Sequence, residues 1–353
     1  MIVGFTGKLL LGLIVGIALG YALQRGRFCV NTAFRDVVFV KDSTLLRAWA
    51  FAGLVQLIGV TALRSIGYFE AIDIPPFFLG ASIVGGFVFG TGMVIAGGCA
   101  SGTCYRVSEG MLGSLMAFIM FGITAVATDV GFLSPIQDAL RTVRVDVNGA
   151  PATIDGALGV NTWMVAIPLV LIVGFWLLKG RKATYHSQGW TWPITGAVIG
   201  LVGIAGWITS TATGRSFGLS ITGPIRAWFR FFFEGDSSYL DWGAFLLVGL
   251  FIGAYVGAKL YAERKLRVPK PDRVLHSLIG GALMGFGAQI AGGCNIGHSF
   301  TGMSVLSVAS LVTTVSIVLG GWTAVTIMFA PPKWLVSLKT SVRRTLVPGR
   351  SAA

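Results

Sequence analysis

The chain has 353 residues, 54% of them hydrophobic, only 12% charged, and 50 of them glycine. Lys and Arg number 27 against 14 Asp and Glu, a formal charge of +13. So few charged side chains cannot clothe a soluble protein of this size, and so much apolar content excludes a disordered chain. What remains is an all-α polytopic membrane protein, because the apolar runs are continuous over about 17–25 residues instead of alternating over about ten as in a barrel.

The first seven residues lack a basic n-region and no small-residue cleavage pattern follows, so no cleavable signal is expected. In chain order the apolar runs predict spans over 8–23, 44–63, 77–96, 110–131, 162–178, 190–210, 241–260, 275–291 and 303–329, about nine in all. Two stretches, 25–36 and 213–232, are too short and too polar to cross alone. They are expected to be short re-entrant helices, shielded by protein or facing a cavity. The basic residues cluster between spans, in 179–182, in 263–273 and in the tail 333–350. Cytoplasmic loops carry such an excess, which places these clusters inside, the loop 133–160 and the N-terminus outside, and the C-terminus in the cytoplasm. No basic patch is interleaved with stacking aromatics, so nucleic acid is excluded as a partner; membrane lipid is expected instead.

An internal repeat organises the chain. With Cys99 placed over Cys294, an offset of 195, ten of the eighteen positions from Gly85 to Gly102 are identical to those from Gly280 to Gly297. Gly26-Arg27 aligns more weakly with Gly214-Arg215. The expected organisation is a first repeat over 1–131, an external loop and linking transmembrane helix over 132–189, a second repeat over 190–330, and a basic cytoplasmic tail over 331–353. Corresponding spans are five apart, so each crosses opposite to its partner. Such an inverted pseudo-twofold repeat is a common construction of transporters, with the site near the midplane.

Both Gly-Gly-Cys motifs end an apolar run and lead into polar residues: Ser101, Thr103, Cys104, Tyr105 and Arg106 in one half, Asn295, His298 and Ser299 in the other. Glycine at Gly85–Gly92 suits close helix packing, whereas Gly97-Gly98 and Gly292-Gly293 suit a helix that stops inside the membrane and turns N–H groups toward a cavity. Three of the four cysteines, Cys29, Cys99 and Cys294, lie in such polar, glycine-flanked segments. The candidate substrate-binding set is therefore Cys29, Cys99 and Cys294, with Arg27, Asn31, Gly98, Gly293, Asn295 and His298. Cys104 aligns with Ser299 and is secondary. A thiol is a weak S–H donor and a polarizable contact, suited to a sulfur anion more than to a hard oxyanion. Several thiols in succession let a solute enter and leave where a single cationic site would trap it. Arg27 and Arg35 would raise the local anion concentration. Zinc would need the thiols to converge with His298, and no Cys-x-x-Cys spacing exists, so no metal is assigned. The phosphate-loop motif is absent and no cofactor is expected. Glu109, Asp129 and Glu234 are the ionisable residues near span ends, the places to look for ion coupling.

The Ala-Gly-Gly-Cys segments 96–99 and 291–294, Gly-Arg-Phe-Cys at 26–29 and Gly-Arg-Ser-Phe-Gly at 214–218 closely resemble the YeeE/YedE family of bacterial membrane proteins. The resemblance extends over nearly the whole chain. It implies an hourglass of inverted helical repeats in the bacterial inner membrane and import of thiosulfate, with no enzymatic activity. It also implies a constriction lined by three cysteines, here Cys29, Cys99 and Cys294, and a small cytosolic TusA-like sulfur-carrier protein as partner. Another branch of the family is associated with selenium. Sulfide or a selenium anion is therefore the alternative cargo, and a membrane sulfurtransferase the alternative of another class. The family pattern offers no place for Cys104.

Overall fold

A computed structural model describes residues 5–69, 72–147, 149–179 and 189–329. Nine helical segments among these residues are long and apolar enough to cross a bilayer. The long helices are α1 (Phe5–Arg25), α3 (Thr44–Ser65), α4 (Leu79–Ala96), α6 (Leu112–Asp129), α9 (Thr162–Lys179), α10 (Trp192–Ala212), α12 (Trp242–Leu260), α13 (Pro271–Ala291) and α14 (Val308–Phe329). Between them lie the shorter α2 (Val30–Phe39), α5 (Ala100–Ser108), α7 (Ser134–Leu140), α8 (Ile154–Leu158) and α11 (Thr222–Glu234), and a π-helical turn, Ile296–Gly302. Three short strands, β1 (Phe77–Phe78), β2 (Arg144–Val147) and β3 (Ala150–Pro151), pair antiparallel in that order. The chain is thus a multi-pass, all-α membrane protein.

The predicted spans fall on these helices, with differences at their ends. Helix α13 starts at Pro271, four residues before the apolar run, because Pro at the first helical position and Asp272 in the first turn favour a start that hydropathy does not register. The stretch 25–36 divides: Arg25 completes α1, and the short helix begins only at Val30. Likewise α11 begins at Thr222, after an extended run from residue 215. The loop 133–160 contains α7, α8 and the strands. Of the basic clusters, 263–273 is described, whereas 180–182 and 333–350 lie outside the described residues.

Backbone approach between glycines sets the packing of the centre. Helices α4 and α13 run antiparallel. A Cβ added at Gly85 would lie 2.6 Å from Ala291 N, and one at Gly280 would lie 2.7 Å from Ala96 Cα. These two contacts exchange under the offset of 195. So do the next two, Gly92 against Met284 N and Gly287 against Phe89 N. Outside this pair, Gly90 packs on Ile317 O of α14 just as Gly285 packs on Phe121 O of α6. Helix α1 packs on α12 and α10 on α3 in the same reciprocal way, through Gly16 against Leu246 O and Gly200 against Ala52 O. Lipid offers no hydrophobic drive to hold helices together, so close van der Waals contact at small residues supplies it. By contrast, α9 leans on α3 and buries only Ala166 and Leu177. It exposes Leu171, Ile172, Phe175 and Leu178, as a lipid-facing helix should.

The packing also corrects one register. Sequence identity sets Gly26 over Gly214. In the structure the residues with positive φ are Arg27 (φ 47°) and Gly214 (φ 83°). Each is followed by the same wide turn, Phe28 N–H to Leu23 O and Arg215 N–H to Ser210 O. Geometry therefore sets Arg27 over Gly214, and an arginine takes the left-handed conformation that its counterpart takes without a side chain.

Candidate functional site

Helices α4 and α13 both stop at a glycine in the left-handed conformation, Gly97 (φ 76°) and Gly292 (φ 85°). Gly98 N–H then returns to Met93 O at 3.0 Å, and Gly293 N–H to Ala288 O at 2.8 Å, the closing bonds of a glycine-terminated helix. A helix end buried in a membrane protein leaves carbonyl oxygens to be satisfied and a negative dipole end to be offset. Arginine does both here, from different places in the two halves. Arg106 of α5 donates to Gly97 O. Arg141, just after α7, donates to Gln289 O (2.6 Å) and Ile290 O (3.2 Å). Arg141→Ala is expected to cost about 1–3 kcal/mol, the cost of stranding these buried acceptors. A lowered thermal unfolding temperature in detergent is the measurement.

After each glycine pair the chain enters a short helix that begins on a cysteine. Cys99 precedes α5 and Cys294 precedes the π-helical turn, and Cys99 O and Cys294 O accept from Thr103 N–H and His298 N–H, which are 195 apart like the cysteines. Cys29 opens α2 in the same way, accepting Ala33 N–H on its carbonyl. All four cysteines are free thiols and fully buried. Cys29 Sγ and Cys99 Sγ lie 3.5 Å apart. Cys99 N–H points at Cys29 Sγ (3.5 Å), Gly102 N–H at Cys99 Sγ (3.4 Å), and Ser101 Oγ lies 3.5 Å from Cys99 Sγ. Two sulfurs thus sit at the N-terminus of α5, where a helix presents its free N–H groups and the positive end of its dipole to an anion.

The other predicted site residues are accounted for one by one. Gly98 and Gly293 leave room for side chains that fold back: a Cβ at Gly98 would lie 2.9 Å from Arg106 Nη1, and one at Gly293 would lie 3.1 Å from His298 Nε2. Asn31 Nδ2 donates to Met93 O (3.2 Å), and Asn295 Nδ2 to Met93 Sδ (2.9 Å), so the two amides converge on Met93 of α4. Asn295 Oδ1 has no partner among the described residues. His298 differs from its sequence reading. Its Nε2 faces Ala291 O (3.2 Å), which requires a proton there, and its Nδ1 accepts from Ser310 Oγ (3.1 Å). Both ring nitrogens are thereby engaged within the turn. Arg27 also differs: it pairs with Glu263 (2.9 Å) and lies 4.0 Å from Glu109, in a cluster with Arg25 and Gln24. Arg27 thus stands in an ion-paired cluster at the end of α1. Arg35 is held by its neighbour Asp36 at 2.8 Å. Asp129 pairs with Arg226 and Arg230 and accepts from Gln289, and Glu234 pairs with Arg230. Among the described residues no group of three His, Cys, Asp or Glu is placed to hold a metal ion.

Two cavities open at opposite ends of α4 and α13. One, about 380 Å³, is lined by Ala96 and Gly97 at the end of α4, by His276 and Ser277 near the start of α13, and by Arg35, Arg106, Arg267 and Arg273. The other, about 440 Å³, is lined by Phe78 before α4, by Gln289, Ala291 and Gly292 at the end of α13, and by Arg141, Arg215 and Arg226. Gly97 and Gly292 each stand two residues before a buried cysteine. Arg106, Arg141 and Met93 were not singled out from the sequence as site residues. A lone arginine in a loop or a methionine in an apolar run carries no signal until the fold brings it to a helix end.

Among the described residues, nine apolar helices surround buried thiols, with a cavity at each end of a central helix pair, the build of a multi-pass membrane protein. A family profile described as sulphur transport matches residues 25–323. The chain is 40% identical over 328 residues to the thiosulfate transporter TsuA of Spirochaeta thermophila, covering 90% of this chain and 98% of that one. It is 34% identical over 353 residues to the thiosulfate transporter TsuA of Escherichia coli, covering 94% and 98%. A probable transporter YedE of Salmonella typhimurium is 32% identical over 108 residues, 30% of this chain and 25% of that one. The chain belongs to the YeeE/YedE sulphur-transport family and is a sulfur-anion transporter.

Proposed function

We propose that the protein imports thiosulfate across the bacterial inner membrane, through a path on which Cys29, Cys99 and Cys294 are successive contacts. The observation that carries this reading is the Cys29–Cys99 pair, 3.5 Å apart at the N-terminus of α5. Cys294 stands at the corresponding helix break, and Cys99 and Cys294 each follow a cavity-lining glycine by two residues. Thiosulfate carries charge on a terminal sulfur as well as on oxygens. A thiol can donate S–H to that sulfur weakly, and the helix N–H groups supply a favourable potential without a fixed countercharge. Weak sites in series allow release as readily as capture. The repeat units are taken as 1–131 and 190–330, joined by 132–189. The basic 263–273 loop is taken as cytoplasmic, so the 380 Å³ cavity faces inward, where a TusA-like carrier would receive the product. Of the candidate set, Asn31 and Asn295 position Met93 beside the path, and Gly98, Gly293, His298 and Arg27 hold its frame.

Purified protein in liposomes is expected to accumulate ³⁵S-labelled thiosulfate, and protein-free liposomes are not. Unlabelled thiosulfate should compete well, and selenite and sulfide poorly. Equal competition by sulfide would move the assignment to the alternative cargo, and no uptake would overturn it.

A further inference from the structure

The helix breaks have equivalent cysteines, but Cys29 has no cysteine counterpart. The fold shows what stands in its place. Gly102, in the first turn of α5, faces the Cys29 thiol: a Cβ there would lie 2.6 Å from Cys29 Sγ. Its repeat equivalent, Gly297, faces the Ser220 hydroxyl, with a Cβ-to-Oγ distance of 3.9 Å. Helix α11 opens on Ile221, whose carbonyl accepts Ile225 N–H as Cys29 O accepts Ala33 N–H, so in the backbone Ser220 stands one residue before the Cys29 position and reaches the matching glycine with its side chain. Helices α2 and α11 each present an arginine, Arg35 and Arg226, to one of the two opposite cavities. Ser220 and Thr222 also line the 440 Å³ cavity, with Arg141, Arg215 and Arg226 against Asp73 and Asp129, of which Asp129 pairs with Arg226.

The two hydroxyls are placed to receive a ligand. Ser220 is 8% exposed and Thr222 is 5% exposed. Thr222 Oγ1 is buried with no hydrogen-bond partner among the described residues, an arrangement that costs free energy unless something else supplies the bond. Thr222 is the first residue of the 13-residue helix α11, whose free N–H groups favour an anion at this end. A hydroxyl is a stronger and harder donor than a thiol, so this position suits oxygen where Cys29 suits sulfur.

We infer that Ser220 and Thr222, at the N-terminus of α11 in the wall of the 440 Å³ cavity, form a binding subsite for the oxygen end of a tetrahedral sulfur oxyanion. It is the hydroxyl counterpart of the Cys29 thiol on the other side of the path. This inference rests on the thiosulfate reading and deepens it. The path is polar in kind: oxygens are recognised from the 440 Å³ cavity and the terminal sulfur is met by thiols beyond it. Selectivity for an oxyanion over bare sulfide belongs to this subsite.

The test is labelled thiosulfate uptake in liposomes by Ser220→Ala and Thr222→Val, with sulfate as a competitor that has the oxygens but no terminal sulfur. Each variant is expected to raise KM about 3- to 10-fold, the contribution of one hydroxyl hydrogen bond, and to weaken inhibition by sulfate by the same factor. Vmax should change by less than about twofold, since a capture site acts before the thiols do. Thr222→Val keeps the side-chain volume, so it carries the test if Ser220→Ala folds poorly. KM and sulfate inhibition both unchanged in Thr222→Val would overturn the subsite and leave the transport reading standing. Absence of uptake by the unmodified protein would overturn the transport reading itself.

Discussion

Cys99→Ala is expected to lower thiosulfate uptake about 10- to 100-fold, as Vmax/KM, in protein that still elutes as a single species in detergent. The thiol meets Cys29 Sγ, Ser101 Oγ and Gly102 N–H, so it is the most connected of the buried sulfurs. Its loss removes one donor to a charged solute, worth about 1.5–3 kcal/mol, at a point with no room for a detour. Cys99→Ser separates two accounts of the role. If donation alone matters, serine restores most of the rate. If the polarizable sulfur matters, serine stays close to alanine, which is the outcome expected here because a hydroxyl holds the oxygen end of the solute and misfits the sulfur end. Uptake in Cys99→Ala within twofold of the unmodified protein would sink the thiol path.

Gly85→Val is expected to abolish recovery of folded protein. Its Cβ would lie 2.6 Å from Ala291 N and 2.8 Å from Gly287 O, backbone atoms of α13 that cannot turn aside as a side chain can. Overpacking in a core typically costs about 1–3 kcal/mol, and here relief requires moving one central helix off the other, so the loss exceeds that range. The control is Gly53→Ala in α3, where a new Cβ meets nothing within 4 Å. It is expected to leave stability unchanged or raise it by about 0.5–1 kcal/mol. Size-exclusion profiles of tagged protein, followed by thermal unfolding, measure both. A monodisperse, thermally normal Gly85→Val protein would contradict the packing described above.

The spans were legible in the sequence because lipid permits few solutions: a continuous apolar run long enough to cross is helical. The two breaks were legible because Gly-Gly-Cys repeats at a fixed offset in a chain whose helices otherwise run on. What stayed hidden depended on partners distant in sequence. Arg27 stands beside Cys29, yet Glu263 and Glu109 claim it only once α12 and the end of α5 come to the end of α1. The sequence puts His298 in the candidate substrate-binding set, but gives no sign that Ala291 O and Ser310 engage its nitrogens. Ser220 was invisible because identity tracks glycine and cysteine, whereas equivalence here changes the element from sulfur to oxygen. The weak Gly26–Gly214 match slipped by one residue for a related reason, since Arg27 adopts a backbone conformation its side chain gives no hint of.

The reciprocal glycine contacts between α4 and α13 act as a rivet through the middle of the molecule. Each helix belongs to a different half, and each presses main chain against main chain at both ends of the crossing. Halves fastened this way have no sliding surface, so a rocking cycle would have to tear the crossing open at every turnover. The pieces free to yield are the short ones, α2, α5, α11 and the π-helical turn, of 7–13 residues each. On the proposed path, cargo would pass a stationary frame, and turnover is expected to tolerate cross-links that join the two halves along α4 and α13.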